Sequence, residues 1–435
     1  MTVDTEQIYT KEYIKQFSKD RNEPEWMKTL RLQALEQSET LDMPKPDKTN
    51  IVRWNFSRFK HDYVEGEAIQ SLEHLPEEIK DFFDPENLPE NLLIQRNHSI
   101  AYASLSNELK EKGVIFTDIF TALQEHEELV KKYYMKDAVS IDEHRLTALH
   151  AALMNGGIFV YVPKNVEVKT PLQVVFWQED PTIAYFNHVI VVAESNSSVN
   201  YVENYISNNE EETVANIVTE VFAHDNAQIA FGGVDNFATG TTIYMNRRGV
   251  VNRDATINWS IGQMNDGNTI FENITELVGD NSLCNANTVT VGRGKQIQNI
   301  TSKTIHWGRN AEGYILQHGV MKDSASNVFN GIGKIENGAS GSNAEQTSRV
   351  LMLSEKARGD ANPILLIEED DVMAGHAASV GRVDQMQLYY LMSRGITKQE
   401  AEKLIIHGFL EPVVSQLPLE SVKKQLKQVI ERKIN

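Results

Sequence analysis

From about Glu194 to Gly381 the chain returns at a fixed interval to one kind of turn. A small residue follows a turn-forming one at Ser197-Ser198, Asn226-Ala227, Asp254-Ala255, Asn281-Ser282, Asn310-Ala311, Ser324-Ala325 and Gly338-Ala339. Counted on the second residue of each pair, the steps are 29, 28, 27, 29, 14 and 14, the last two being halves of the same period. A repeat of this length means a solenoid, whose units are stable only against their neighbours. Between the turns lie Val189-Ile190-Val191-Val192, Thr241-Thr242-Ile243-Tyr244, Thr256-Ile257-Asn258-Trp259, Thr288-Val289-Thr290-Val291 and Asn299-Ile300-Thr301. These are short, rich in Val, Ile and Thr, and alternate apolar with polar residues, as half-buried strands do. The pattern predicts a right-handed parallel β-helix with two strand-plus-turn arcs of about 14 residues per coil. An antiparallel sandwich would leave the even spacing unexplained.

The chain on either side reads as helical, so the expected organisation is a mainly helical domain at 1–155, a β-helix core at 156–381 and a C-terminal helical domain at 382–435. In the first region, Tyr9 to Phe17 is amphipathic, and Glu23-Pro24-Glu25-Trp26 starts a helix that Met43-Pro44-Lys45-Pro46 stops. Asp47 to His98 reads as a polar, loosely packed excursion with a helix near Pro76 to Phe83. Lys112 to Phe116 reads as a strand leading into a helix at Thr117-Asp118, and Ile141 to Met154 as a helix closed by Gly156-Gly157. In the last region, Val383 to Ser393 is followed by a helix capped by Thr397 with Glu400 three residues on, ending near His407-Gly408. A final helix runs from Leu419 to Lys433. These helices suit either closure of the solenoid's open end or docking of another protein.

A net charge of −19, from 42 basic and 61 acidic residues, disfavours nucleic acid or an anionic membrane as partner. No apolar run is long enough for a membrane span and the charged start lacks a signal peptide, which places the protein in the cytoplasm by expectation. The single cysteine, Cys284, excludes an intramolecular disulfide and a Cys-based metal site built by this chain alone, and its neighbours suit a small core residue.

Common catalytic signatures are missing. Gly292-Arg293-Gly294-Lys295 is followed by Gln296 and strand-like residues, so it reads as a turn and not a phosphate loop. Gly338-Ala339-Ser340-Gly341 lacks the spacing of a nucleophile elbow, and Glu143-His144 lacks a second zinc histidine. His306 and His318, twelve residues apart in adjacent arcs, could stack as a pair but better suit ladder-like structural roles. One constellation bears chemistry: Glu368-Glu369-Asp370-Asp371, then His376 among small residues. Imidazole and carboxylates ligate iron and zinc, yet a solvated acidic turn with a hydrogen-bonded histidine fits the same residues.

Asp370-Asp371-Val372, Gly375-His376-Ala377-Ala378-Ser379-Val380-Gly381, Asp384, Gln387-Leu388-Tyr389-Tyr390-Leu391, Ser393-Arg394-Gly395-Ile396, Glu400-Ala401 and Gly408-Phe409 resemble the C-terminal signature of the SufB/SufD family of iron–sulfur cluster assembly scaffolds. Glu23-Pro24-Glu25-Trp26 and Lys112-Gly113-Val114 extend the resemblance to the N-terminal region. It is closest to the cysteine-poor SufD branch: Ser348 stands about where SufB proteins carry a ligand cysteine, and Ala374 stands where many SufD proteins carry one. The resemblance implies a non-catalytic scaffold subunit with a β-helix between two helical domains. Such a subunit would pair with a cysteine-bearing SufB-like paralogue and dock a SufC-like ABC ATPase through the C-terminal helices, around Arg394, Gly395, Ile396, Glu400 and Phe409. His376 would hold iron or a nascent cluster transiently at the subunit interface, with no cofactor bound permanently by this chain, and the isolated chain could pair with itself. The competing readings are a β-helix enzyme acting on carbohydrate or acyl groups, and a purely structural partner without metal contact.

Overall fold

The turns of the repeat are set by backbone conformation. Asn165, Asn196, Asn226, Asp254, Asn281 and Asn310 have φ between 53° and 63°, the left-handed region that Asn and Asp tolerate better than most side-chain-bearing residues. In the computed structural model, which describes residues 9–72, 75, 77–80, 89–207, 211–415 and 420–434, they stack in one column. Their backbone N–H groups donate to carbonyls of the next coil, as Asn226 N does to Arg253 O and Asn281 N to Arg309 O, both at 2.8 Å. Their side chains form a ladder: Asn196 Nδ2 to Asn165 Oδ1 at 3.0 Å, Asn226 Nδ2 to Asn196 Oδ1 at 2.9 Å and Asn281 Nδ2 to Asp254 Oδ1 at 2.9 Å. The turn pair at the second coil is therefore Asn196-Ser197, one residue before the Ser197-Ser198 expected from residue size. Ala325 belongs to the opposite corner, where Asp323 (φ 58°) stacks on Gly294 (φ 65°), and Gly294 N donates to Asp323 Oδ2 at 2.9 Å. That corner explains the half-period steps.

The strands are β1 (Asn91–Arg96), β2 (Ser99–Ser104), β3 (Ile115–Asp118), β4 (Gly156–Val162), β5 (Glu167–Gln178), β6 (Tyr185–Ala193), β7 (Ser198–Ser207), β8 (Thr213–Ala223), β9 (Gln228–Asn236), β10 (Thr241–Val251), β11 (Thr256–Gln263), β12 (Thr269–Leu277), β13 (Leu283–Gly292), β14 (Ile297–His306), β15 (Glu312–Met321), β16 (Ser326–Ile335), β17 (Asn343–Met352), β18 (Arg358–Ile367) and β19 (Met373–Arg382). The helices are α1 (Lys11–Asp20), α2 (Glu25–Thr40), α3 (Glu77–Lys80), α4 (Asn107–Glu111), α5 (Ile119–Glu125), α6 (Glu127–Tyr133), α7 (Arg145–Leu153), α8 (Gln385–Ser393), α9 (Lys398–Val414) and α10 (Glu420–Ile434). Successive strands from β4 onward alternate between two sheets, a ten-stranded one ordered β19-β17-β15-β13-β11-β9-β7-β5-β1-β2 and a nine-stranded one ordered β18-β16-β14-β12-β10-β8-β6-β4-β3. Like-facing pairs from β4 to β19 are parallel, giving a parallel β-helix of about eight turns.

Residues 1–155, read as mainly helical, carry α1 to α7 and also three strands that enter the solenoid sheets. The excursion 47–98 hid β1, whose sequence NLLIQR is almost wholly buried without alternating. Antiparallel pairing of β2 on β1 and of β3 on β4 ends both sheets at the N-terminal side. The helix expected near Pro76 to Phe83 is described only as α3; its ends, and Leu419 at the start of α10, lie outside the described residues.

The lumen holds rows of aromatic rings, among them Tyr201, Phe231 and Trp259, packed at tilted angles with centroids 5.1 and 4.8 Å apart. It also holds charge. Arg247 donates to Asp235 (2.8 Å twice) and to Glu203 (2.8 and 3.2 Å), all fully buried. A buried charge survives only when paired, and Gly233 leaves the room: a Cβ there would lie 3.2 Å from Arg247 Nη2. Burial pushes the Glu203 carboxyl up to about 7.

On the outer face of the nine-stranded sheet, a buried relay fastens the N-terminal helices. Glu220 Oε2 lies 3.0 Å from His188 Nε2, His188 Nδ1 lies 2.9 Å from His150 Nε2 on α7, and His150 Nδ1 reaches Asn216 O at 3.2 Å. Burial lowers His188 to about 3 and raises Glu220 to about 8. The relay is satisfied throughout when Glu220 is protonated and donates to a neutral His188. A carboxyl raised from 4.5 to about 8 contributes stability that is fully present below its unfolded value and is lost as pH rises through about 8. The lowered His188 contributes the opposite slope up to its unfolded value of 6.5, so melting temperature should fall between pH 7 and pH 9, and Glu220→Gln should flatten that slope; an unaltered slope in the variant would refute the relay's role.

Candidate functional site

The solenoid is open at its C-terminal end. β18 and β19 are the last strands of the two sheets, and β19 is exposed or half-exposed along its whole length. Leu366, Ile367, Met373 and Val380, all at least 39% exposed, add apolar surface there.

His376 stands on this last strand. β17 buries Ala344, Gln346, Ser348 and Val350 toward the lumen, and β19 pairs on it in register, Gln346 with His376 and Ser348 with Ala378. Paired residues of parallel strands share a face, so His376 continues a lumen-facing column at its mouth. It is exposed, and Gly375 beside it has no atom within 4 Å of an added Cβ. Among the described residues the His376 imidazole has no hydrogen-bond or ion-pair partner, and no three His, Cys, Asp or Glu side chains converge as a metal site.

The acidic run is structural in part. Glu369 Oε2 accepts from Gly338 N at 2.9 Å, Asp371 Oδ2 accepts from Ser340 Oγ at 2.9 Å and Asp371 O accepts from Gly341 N at 2.7 Å. The Gly338 N–H holds the Glu369 carboxyl below its ordinary range. These bonds seat the turn from β18 to β19 on the coil beneath, which fixes where β19, and His376 with it, begins.

Closure of the end, one of the two roles expected for the C-terminal helices, is not what they do. α9 and α10 lie along the outer face of the ten-stranded sheet, with Leu410, Val413, Val422, Leu426 and Ile430 against Val202, Val234, Val289, Val291 and Val320. A Cβ on Gly262 would sit 2.1 Å from Leu426 Cδ2, so the glycine on β11 admits the helix. Lys433 Nζ donates to Asp266 Oδ1 at 2.8 Å and Asn265 O at 2.9 Å. α9 also continues past His407-Gly408 and through Pro412, because Ile406, Leu410, Val413 and Val414 keep one buried face against the sheet. α8 is the exception: only Leu388 is buried, while Met386, Tyr389, Tyr390 and Met392 are between 43% and 73% exposed, with Leu404 of α9 also out. Sequence reading missed this patch. Its signal is the all-round apolar segment QMQLYYLMS, too short to be a core helix.

Residues 176–409 match the family model described as SUF system FeS cluster assembly, SufBD core domain, and residues 4–174 match that of the SufBD protein N-terminal region. The chain belongs to the SufB/SufD family. It is 62% identical, over an alignment of 436 positions that covers both chains in full, to the iron–sulfur cluster assembly protein SufD of Bacillus subtilis. It is 30% identical to iron–sulfur cluster assembly SufBD family proteins of Staphylococcus haemolyticus and Staphylococcus aureus, over 96% of this chain and 91% of theirs. Within the SufB/SufD family it is most like SufD. Among the described residues no helix is long and apolar enough to cross a membrane.

Of the residues that the SufB/SufD resemblance marks for ATPase contact, Arg394 is exposed above the Tyr390 ring at 5.1 Å. The other four have internal roles. Gly395 (φ 88°) ends α8, Glu400 completes the capping box with Thr397, Ile396 packs between helices, and Phe409 stacks on His318 at 4.9 Å. Ser348 donates to Gln317 Oε1 at 2.9 Å in the lumen. His306 and His318 do not meet: His306 Nδ1 bonds Lys334 O and His318 Nδ1 bonds Phe409 O, each at 2.8 Å. Cys284 is fully buried, and burial pushes its thiol up to about 12. A thiol this protonated and enclosed does not react, so iodoacetamide should label Cys284 only after denaturation. Labelling of the native chain would show that the core opens.

Proposed function

We propose that this chain is the SufD-like scaffold subunit of a SufBCD-type complex for iron–sulfur cluster assembly, non-catalytic itself. The carrying observation is that His376 lies unpaired on an open edge strand at the mouth of the solenoid. An edge strand offers unpaired N–H and C=O groups to another chain, and the apolar residues around it favour burial. A SufB-like paralogue docking there brings cysteine thiolates to the histidine. The nascent cluster is cargo: His376 supplies one imidazole, and the remaining ligands come from the paralogue, because Cys284 is sealed in the core and Ser348 stands where a thiolate would be needed.

The exposed aromatic face of α8, with Arg394 at its end, suits a SufC-like ABC ATPase. Tyr and Arg are the residue types that dominate interface energies. Nucleotide-driven movement of that partner would reach the flank of the solenoid through α9, which is packed on β13 and β15.

His376→Ala should leave folding and capture of both partners intact while anaerobic cluster yield in the assembled complex falls by about tenfold, at least the cost of losing an outer-shell partner of a metal site. Unchanged iron and sulfide in the variant complex would refute the ligand role and leave a purely structural partner. Tyr390→Ala combined with Arg394→Glu should weaken ATPase co-purification by about 30-fold, as loss of a hot spot worth about 2 kcal/mol does. Undiminished recovery would move the docking site off α8.

A further inference from the structure

Residues 42–57 leave the N-terminal helices and run outside the nine-stranded sheet. Asp42 O accepts from Arg145 N at 2.9 Å at the start of α7. At the far end of the excursion, Asn299 Nδ2 on β14 donates to Asp47 O at 2.8 Å and to Thr49 Oγ1 at 2.7 Å. Lys48 Nζ reaches β18, donating to Asn362 Oδ1 and lying 3.5 Å from Asp360 Oδ1. The segment then returns to pack Ile51 and Phe56 on Tyr244 of β10 and Ile270 of β12. Together with Arg145 and Leu149 of α7 it lines a pocket of about 890 Å³, bordered also by Met43, Pro44 and Trp54. It is fastened to the sheet at separate points.

The attachments span the strand order β10-β12-β14-β16-β18, four strand spacings or roughly 19 Å. An asparagine ladder fills the interval beneath the tip: Asn362 Nδ2 donates to Asn330 Oδ1 at 2.9 Å and Asn330 Nδ2 to Asn299 Oδ1 at 3.1 Å. In a solenoid each coil otherwise touches only its neighbours, and a terminal coil has one. The segment gives the last coil a second attachment, to coils that it does not touch.

We propose that residues 42–57 form a brace, with Lys48 and Asn299 as positioning residues that hold the terminal coil, and through it the strand bearing His376, in register for pairing. That the braced strand serves partner docking and cluster holding rests on the function proposed above. The bracing itself does not.

Amide hydrogen exchange of the isolated full-length chain separates the two. Removing a charge-assisted hydrogen bond from a locally opening unit should speed exchange by about tenfold. In Lys48→Ala that acceleration is expected across 358–382, with 241–277 unchanged, with recovery in Lys48→Arg, and with no further effect once Asp360→Asn and Asn362→Ala are present. Unchanged exchange at 358–382, or equal acceleration in both regions, would overturn the brace. Because no partner or iron is present, either result stands whatever becomes of the cluster-assembly reading.

Discussion

Every internal coil of this protein completes its backbone hydrogen bonds on the coil before and the coil after. That requirement explains the stacked left-handed Asn and Asp turns: a corner residue that left the column would break both the backbone bond to the next coil and the amide ladder. It also makes the two ends unequal. Antiparallel β2 and β3 end the sheets at the N-terminal side, the C-terminal helices occupy a flank, and the last coil keeps its edge. The proposed function uses the place where the repeat stops.

The polar interior depends on the same stacking. A lumen one strand-pair wide brings Arg247, Asp235 and Glu203 within hydrogen-bond reach of each other, and the outer face does the same for Glu220, His188 and His150. Each cluster is tolerable because every charge is paired or neutralised. In both, the raised carboxyl favours the folded state below its shifted value, while in the outer cluster the lowered His188 and His150 oppose this once the pH falls below their unfolded range. With removal from water accounting for the shifts, the pH response reports burial.

The coil period was legible because a left-handed turn restricts residue type, so Asn, Asp, Gly and a small follower recur where the backbone demands them. The capping box at Thr397 and Glu400 was legible for the same local reason, and the family signature around His376 placed the candidate site. What escaped was tertiary. β1 is buried on both faces and so shows no alternation, α9 runs past Gly408 because its apolar face is seated on the sheet, and the resting place of α9 and α10 is specified by Gly262 and a row of valines in strands far away in sequence. The brace is invisible for that reason too. Lys48 is one lysine in a proline-punctuated loop, and its partners lie more than 300 residues on.

The two strands at the open end differ in what they can accept. β18 carries Pro363, which lacks a donor and is at home on an edge, and its outer face is held by Lys48. β19 carries no proline, and Ala374, Gly375, Ala377, Ala378, Ser379 and Gly381 keep its side chains small enough for another backbone to approach. Natural edges that stay solitary are blunted by charge, proline or bulges, and β19 has only Arg382 at its end. A strand pairing on β19 would therefore bring its side chains beside His376. Charge narrows the choice of chain: a second copy brings another −19, and like-charged surfaces slow and weaken encounter. A chain with the same solenoid end and less negative charge would meet the same backbone without that repulsion, so net charge, and not edge geometry, is what would distinguish it from a second copy.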